Sequence, residues 1–180
     1  MTHIEVTMNT LRTPICTLVP MLAAHADEMF DVLSDPAIYE FENESPRSKE
    51  RLADHYRRLE GRASPDGQQY WLNWVIRLSP GELAGYVQAT VLKSGISYIA
   101  YELNSNFWRQ GIGSNAVSAM ITELNSTYAV HTCVAVLKTA NFRSMALLTS
   151  LGFDLVEKTE AEQFEPESDE SVMIKLLSQA

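Results

Sequence analysis

The residues best placed to do chemistry lie in one stretch, Leu103-Asn104-Ser105-Asn106-Phe107-Trp108-Arg109-Gln110-Gly111-Ile112-Gly113-Ser114-Asn115-Ala116. A strand-like run feeds a loop with glycine at two alternate positions, and an amphipathic helix opens behind it. The first N–H groups of a helix lack intrahelical acceptors, and the helix dipole adds positive potential, so this is a place for a phosphate or pyrophosphate. Gly111 and Gly113 let the backbone approach an anion closely, and Arg109 adds a charged donor. The loop has neither the Lys-Ser/Thr of a nucleotide P-loop nor the third glycine of a dinucleotide fingerprint, which argues against ATP and NAD. A tight strand-to-helix turn would need the same glycines. Asn141 and Ser144 begin a second helix, where Asn is a strong N-cap. Glu102 ends the strand before the loop, and strand alternation leaves open whether it faces that site or solvent.

The elements that must position these residues follow from pattern. A short strand over 15–19 is stopped by Pro20, and Ala26, Met29, Phe30 and Leu33 recur at helical spacing until Ser34-Asp35-Pro36 ends the run. A second helix is expected from Ser45 as N-cap, with Pro46 at its first position, to about Glu60. Three strands over 70–78, 84–92 and 97–103, divided by Ser79-Pro80-Gly81 and Lys93-Ser94-Gly95, form an antiparallel meander. Val117, Met120, Ile121 and Leu124 mark the helix behind the glycine loop. A Val-rich strand over 130–137, buried on both faces, follows. A helix over 141–151 turns inward at Met145, Leu148 and Leu151, Gly152 supplies a left-handed cap, and two strands over 153–157 and 172–177 close the chain. The fold expected is α/β of the α+β kind, a mixed, mostly antiparallel sheet flanked by helices.

The chain of 180 residues reads as one domain over 1–180, with a polar lead-in over 1–12. A net charge of −9 repels phosphate backbones and anionic headgroups, so nucleic acid and membranes are disfavoured as partners. Seven carboxylates and one lysine over 157–170 hold a net −6 of that charge. That connection is either a solvated loop or an acidic rim that draws in a basic peptide or amine. Cys16 and Cys133 lack metal-ligand or disulfide spacing, so no metal is expected, and a reduced, cytoplasmic protein is the default. His3, His25, His55 and His131 have no partner in the pattern and are read as structural. So are Trp71, Trp74 and Trp108, as core or loop packing.

The order of elements resembles the GNAT N-acetyltransferase superfamily across nearly the whole chain. Phe30 to Pro36, Phe107-Trp108-Arg109-Gln110-Gly111-Ile112-Gly113, Asn141-Phe142-Arg143-Ser144 and Leu151-Gly152-Phe153 look like its ribosomal-protein N-terminal acetyltransferase branch. The resemblance implies acetyl-CoA as co-substrate in a splayed parallel opening between the strand ending at Leu103 and the strand over 130–137. The pantetheine would pair with the backbone around Leu103 and Asn104, the pyrophosphate would rest on Trp108, Arg109, Gln110, Gly111, Ile112, Gly113 and Ser114, and Asn141 and Ser144 would face the thiol. Where many members have a tyrosine seven residues after the Asn, this chain has Leu148. The branch implies Ser144 as the donor to the departing thiolate and Glu162, with Glu160 one step away, as a base; Glu102 is the other carboxylate near the thioester. The acceptor implied is a protein or peptide N-terminal α-amine, such as that of a ribosomal protein. A small amine (polyamine, antibiotic or amino acid) is the alternative, and a non-catalytic acetyl-CoA sensor is the third reading. Segments 39–62 and 157–170 are expected to frame the entrance.

Overall fold

The structure, a computed structural model, describes residues 6–41, 44–79 and 81–178. His3 and Pro80, given a tail and a turn role by the sequence, lie outside the described residues. Eight strands form one sheet: β1 (Leu11–Arg12), β2 (Cys16–Pro20), β3 (Gln69–Leu78), β4 (Leu83–Leu92), β5 (Ile96–Leu103), β6 (Thr132–Lys138), β7 (Asp154–Leu155) and β8 (Glu170–Leu176). Their spatial order is β1-β2-β3-β4-β5-β6-β8-β7, antiparallel throughout except for β5 beside β6. The five helices are α1 (Ala26–Val32), α2 (Lys49–Leu59), α3 (Ile112–Tyr128), α4 (Phe142–Ser150) and α5 (Lys158–Ala161). The mixed sheet expected from the meander and the strand–helix–strand unit is what forms.

The helices cover both faces, and β3 records this residue by residue. Leu72, Trp74 and Ile76 enter the cluster built on Val117, Met120 and Leu124 of α3 and Leu148 of α4. Val75, on the opposite face, packs with Met29 of α1 and Leu52 and Tyr56 of α2. A strand buried on both faces cannot slip register without moving its apolar set, so the middle of the sheet is a fixed platform for the site.

Three expectations change. The α2 N-cap is Ser48, not Ser45: its backbone is extended and its side chain accepts from the Arg51 N–H at 3.2 Å. Residues 44–47 offer no apolar position to bury, and the buried face begins only at Leu52. The lead-in is not merely polar. Leu11 pairs with Leu18 in β1, and Val6, Met8 and Leu11 pack on the core. The acidic connection is partly helical, because Ala161, buried at 6% exposure, and Phe164 pack against Val134 and Val172. Three residues apart, they form a one-sided apolar stripe that the surrounding charge obscures.

Candidate active site

The site begins where two strands part. β5 and β6 pair only at Ile96 with Thr132, Ser97 with Cys133 and Tyr98 with Val134. Beyond Tyr98, β5 continues to Leu103 on β4, and β6 continues to Lys138 on β8. The facing edges of residues 99–103 and 135–138 are thus unpaired with each other and open a wedge whose backbone groups remain available to an extended ligand. α3 follows β5 and α4 follows β6, so both helix N-termini line the cavity at the wedge. It has a volume of about 530 Å³ and is lined by Tyr101, Glu102, Leu103, Phe107 to Arg109, Gly111 to Ser114, Asn141 to Ser144, Leu147 and the segment at 37–41.

The loop before α3 is shaped to leave its amides exposed to that cavity. Gly111 is the α3 N-cap at φ +76°, a left-handed conformation that glycine adopts without a Cβ penalty, and no side chain caps the helix. Asn115 is the first residue whose N–H returns to Gly111, so the N–H groups of Ile112, Gly113 and Ser114 are the orphan donors of the helix start. At Gly113 a Cβ would stand 3.0 Å from Leu147 Cδ1, which keeps the α3–α4 passage narrow. Arg109, at φ +60°, accepts a strained backbone in the same loop. The side chains of two residues expected at the cofactor hold the loop together. The Asn104 side chain donates to Val32 O at 3.0 Å and accepts from the Asn106 N–H at 3.1 Å, and Gln110 donates to Asn106 O at 2.8 Å. Neither side chain lines the cavity. Trp108 does, and its indole N–H is engaged by Leu103 O at 2.8 Å.

At the α4 start Asn141 is the N-cap, its Oδ1 accepting from the Ser144 N–H at 3.2 Å, and the residue also lines the cavity. Ser144 lines it too, and its carbonyl accepts from the Tyr101 hydroxyl at 3.3 Å. Burial pushes the Tyr101 phenol up to about 12, against the opposing effect of the Ser144 side chain, so it stays neutral. Leu148 is buried at 1% exposure in the core. Arg143 stacks 4.3 Å over Trp108 and 5.5 Å over Phe41 and pairs with Glu40 at 2.6 Å, joining α4 to the segment on the other side of the cavity. Asp35 holds that segment in place, accepting from the Ala37 N–H at 3.0 Å and the Ser105 N–H at 2.7 Å.

Glu102 alone among the described residues lines both this cavity and a second one of about 510 Å³, built from α2, the turn before it and β4. It sits directly across from Tyr86 in the β4–β5 ladder and accepts that tyrosine's hydroxyl. Burial first and the Glu102 charge second raise the phenols of Tyr39, Tyr56 and Tyr86, which therefore stay protonated; the Tyr39 hydroxyl donates to Leu33 O at 2.7 Å. Gly85 sets the strand spacing here, since a Cβ on it would collide with the Glu102 carbonyl and stand 2.8 Å from Leu103 Cα. Glu162 is exposed on the turn after α5 and lines neither cavity. Of the acidic connection, Glu167, Asp169 and Glu170 gather on Lys138 at 2.7, 3.0 and 3.3 Å. No residue of 157–170 lines either cavity, so of the two segments expected to frame the entrance only 39–62 does.

Sequence reasoning missed Tyr101, Tyr86, Asp35 and the bridging role of Arg143. Gly85 carried a signal, because a glycine inside a strand marks a close backbone approach. The tyrosines carried none, because aromatic residues in strands are ordinary core.

The acetyltransferase (GNAT) domain family matches residues 16–154. An uncharacterized N-acetyltransferase p20 from Bacillus licheniformis is 26% identical over 148 residues, 81% of this chain and 83% of that protein. Among solved structures, RimL, a ribosomal L7/L12 α-N-protein acetyltransferase in complex with coenzyme A, superposes with a TM-score of 0.80 at 16% identity, covering 96% of this chain and all of that one. The microcin C7 self-immunity acetyltransferase MccE, in complex with acetyl-CoA and AMP, gives 0.75 at 18% identity over 92% of this chain and 94% of that one. At these identities the superpositions establish a shared fold.

Proposed function

The chain belongs to the acetyltransferase (GNAT) family, and from that premise we propose that it moves acetyl from acetyl-CoA directly to the α-amine of a protein or peptide N-terminus. The observation that carries this reading is Glu102, the residue shared by a cavity suited to acetyl-CoA and a second cavity suited to an acceptor. The first cavity fits the co-substrate on its own features. The orphan N–H groups of Ile112, Gly113 and Ser114 would take the pyrophosphate, and the unpaired edge of β5 up to Leu103 would take the pantetheine amides. When bound, acetyl-CoA supplies an activated acetyl group on a thiol that ionises near ~8.5 and so leaves readily.

The residues then orient and move protons. An α-amine ionises near ~8, so about a tenth of it is neutral at pH 7. A carboxylate of ordinary basicity cannot strip the ammonium outright, a step ~4 pKa units uphill, or about 5 kcal/mol. Glu102 instead accepts an N–H of the neutral amine, aims its lone pair across the wedge and receives the proton as bond formation makes the nitrogen acidic. Ser144, in the position the family resemblance gave it, offers a hydrogen bond to the sulfur, and the Tyr101 hydroxyl, on turning from Ser144 O, offers a second in place of the tyrosine absent at 148. Arg143, Trp108 and Phe41 close the cavity over the thioester and exclude water.

Thiol release with an amine panel, followed by mass spectrometry of the products, tests this. Peptides with free N-termini should be acetylated on the α-amine, whereas the same peptides with blocked N-termini should not. Spermidine or lysine side chains used as well as a free N-terminus would overturn the reading in favour of a small-amine enzyme, and tight acetyl-CoA binding without release would favour a sensor. Glu102→Gln should lower kcat about 10²-fold without moving the limb of the pH profile that follows the amine pKa, while Glu162→Gln stays within about twofold. The opposite pattern would return the base role to Glu162.

A further inference from the structure

The second cavity has a charge pattern that the overall −9 conceals. Glu102 contributes a carboxylate from the sheet and Glu44 one from the turn before α2, whereas that turn and α2 also present Arg47, Arg51 and His55. Arg51 and His55 are four residues apart, on one helix face and about 6 Å apart along the axis, and Arg51 lies in the first turn, where the helix dipole is positive. Of the other cations on or just before α2, Arg47 is engaged with Glu44 at 3.2 Å, Lys49 with Asp27 at 2.8 Å and Arg57 with Asp54 at 2.5 Å, and Arg58 does not line the cavity. Arg51 is in none of the ion pairs among the described residues. Burial, with the Arg58 charge, pushes the His55 imidazole down, which leaves it neutral and able to hydrogen-bond at pH 7. Of the carboxylates that line this cavity, Glu44 is paired with Arg47, and none comes from the 157–170 segment, where Lys138 holds three.

We propose that this cavity selects acceptors carrying a carboxylate close to the reactive amine, with the amine at Glu102 and the carboxylate on the Arg51 guanidinium. The inference rests on assigning the cavity to the acceptor, and it reverses the basic-peptide preference that the net charge alone implied. A guanidinium matches a carboxylate bidentately, and an extended peptide advances about 3.3 Å per residue. An Asp or Glu at the second or third residue of the acceptor is therefore within reach of a side chain as long as arginine. A free dicarboxylic amino acid carries the same chemistry, and the test separates the two sources.

Eight-residue peptides, labelled at the C-terminus and differing only at residues two and three (Asp-Glu, Ala-Ala or Lys-Lys), are titrated onto the full chain saturated with CoA, with anisotropy as the readout, so the result does not depend on turnover. The acidic peptide should bind about tenfold tighter than the Ala peptide and the Lys peptide weakest, with the gap narrowing as salt rises from about 0.05 to 0.5 M. Arg51→Ala should close the gap, Arg51→Lys should keep part of it and Arg51→Glu should invert the order. The melting-temperature shift with acetyl-CoA checks that each variant is folded. Equal binding of the acidic and Ala peptides, tightest binding of the Lys peptide, or an order unchanged in Arg51→Glu overturns the inference. Peptides acetylated on the α-amine without charge discrimination would refute it and leave the proposed function standing. Acetylation of free aspartate and glutamate with the same Arg51 dependence, and of no peptide, would uphold it and refute the N-terminal reading.

Discussion

At the residue scale, the leaving sulfur is the step for which this chain departs from the tyrosine-bearing members of the superfamily it resembles. Tyr101, held neutral at about 12, could protonate a thiolate of ordinary pKa near ~8.5 only at a cost of ~3.5 units, or about 5 kcal/mol. Under the proposed function it would serve as a hydrogen-bond donor, alongside Ser144, while the proton released by the amine finishes on the sulfur. Two donors on one atom predict non-additivity. Ser144→Ala and Tyr101→Phe should each lower kcat about tenfold with little change in KM, and the double variant should lose less than the product of the two. Full multiplicativity in a kinetic double-mutant cycle would mean that they serve different atoms.

At the scale of elements, the wedge depends on short tethers between segments distant in sequence. Asp35 joins the turn over Pro36–Glu40 to the turn over Ser105–Phe107, so it fixes Ala37, Ile38 and Phe41 over the cofactor cavity. Partial burial opposes ionisation of its carboxyl, yet the hydrogen bonds from Ser105 and Ala37 outweigh that and hold it below its ordinary value. A carboxyl depressed in the folded state contributes stability that is full above its unfolded pKa, near ~4, and is lost as pH falls through the lower folded value. Asp35→Asn should cost about 1 kcal/mol at pH 7, measured by denaturant unfolding, and the difference from the parent should begin to shrink below about pH 4 and vanish only under the depressed folded value. A difference that persists unchanged at pH 3 would mean that packing, not the charge, is what the residue supplies.

For the whole molecule, binding at the α3 N-terminus should appear as global stability. Acetyl-CoA at about 100 times its Kd adds ~2.7 kcal/mol by mass action. For a chain of 180 residues that is a rise in Tm of about 5–10 °C. Gly113→Glu should show none of this rise above its own baseline, because it puts an anion where the pyrophosphate belongs and presses on Leu147; a retained shift would move the site elsewhere. The sequence by itself determined the element order, the glycine loop, the Asn141 cap and the family resemblance, because all of these are written in local periodicity and in residues close along the chain. It could not place Ser48 ahead of Ser45, since either hydroxyl satisfies the local rule and only the buried face starting at Leu52 decides between them. Nor could it choose between Glu102 and Glu162, because a carboxylate's role depends on which surfaces it borders. Strand pairing set Glu102 opposite Tyr86 and between two cavities, whereas the apolar docking of Ala161 and Phe164 left Glu162 in solvent. The charge around the second cavity was decided in the same way. Net charge sums over the surface, but recognition depends on the few charges that border a site, and the tertiary structure placed Arg51 at the edge of that cavity while gathering Glu167, Asp169 and Glu170 on Lys138.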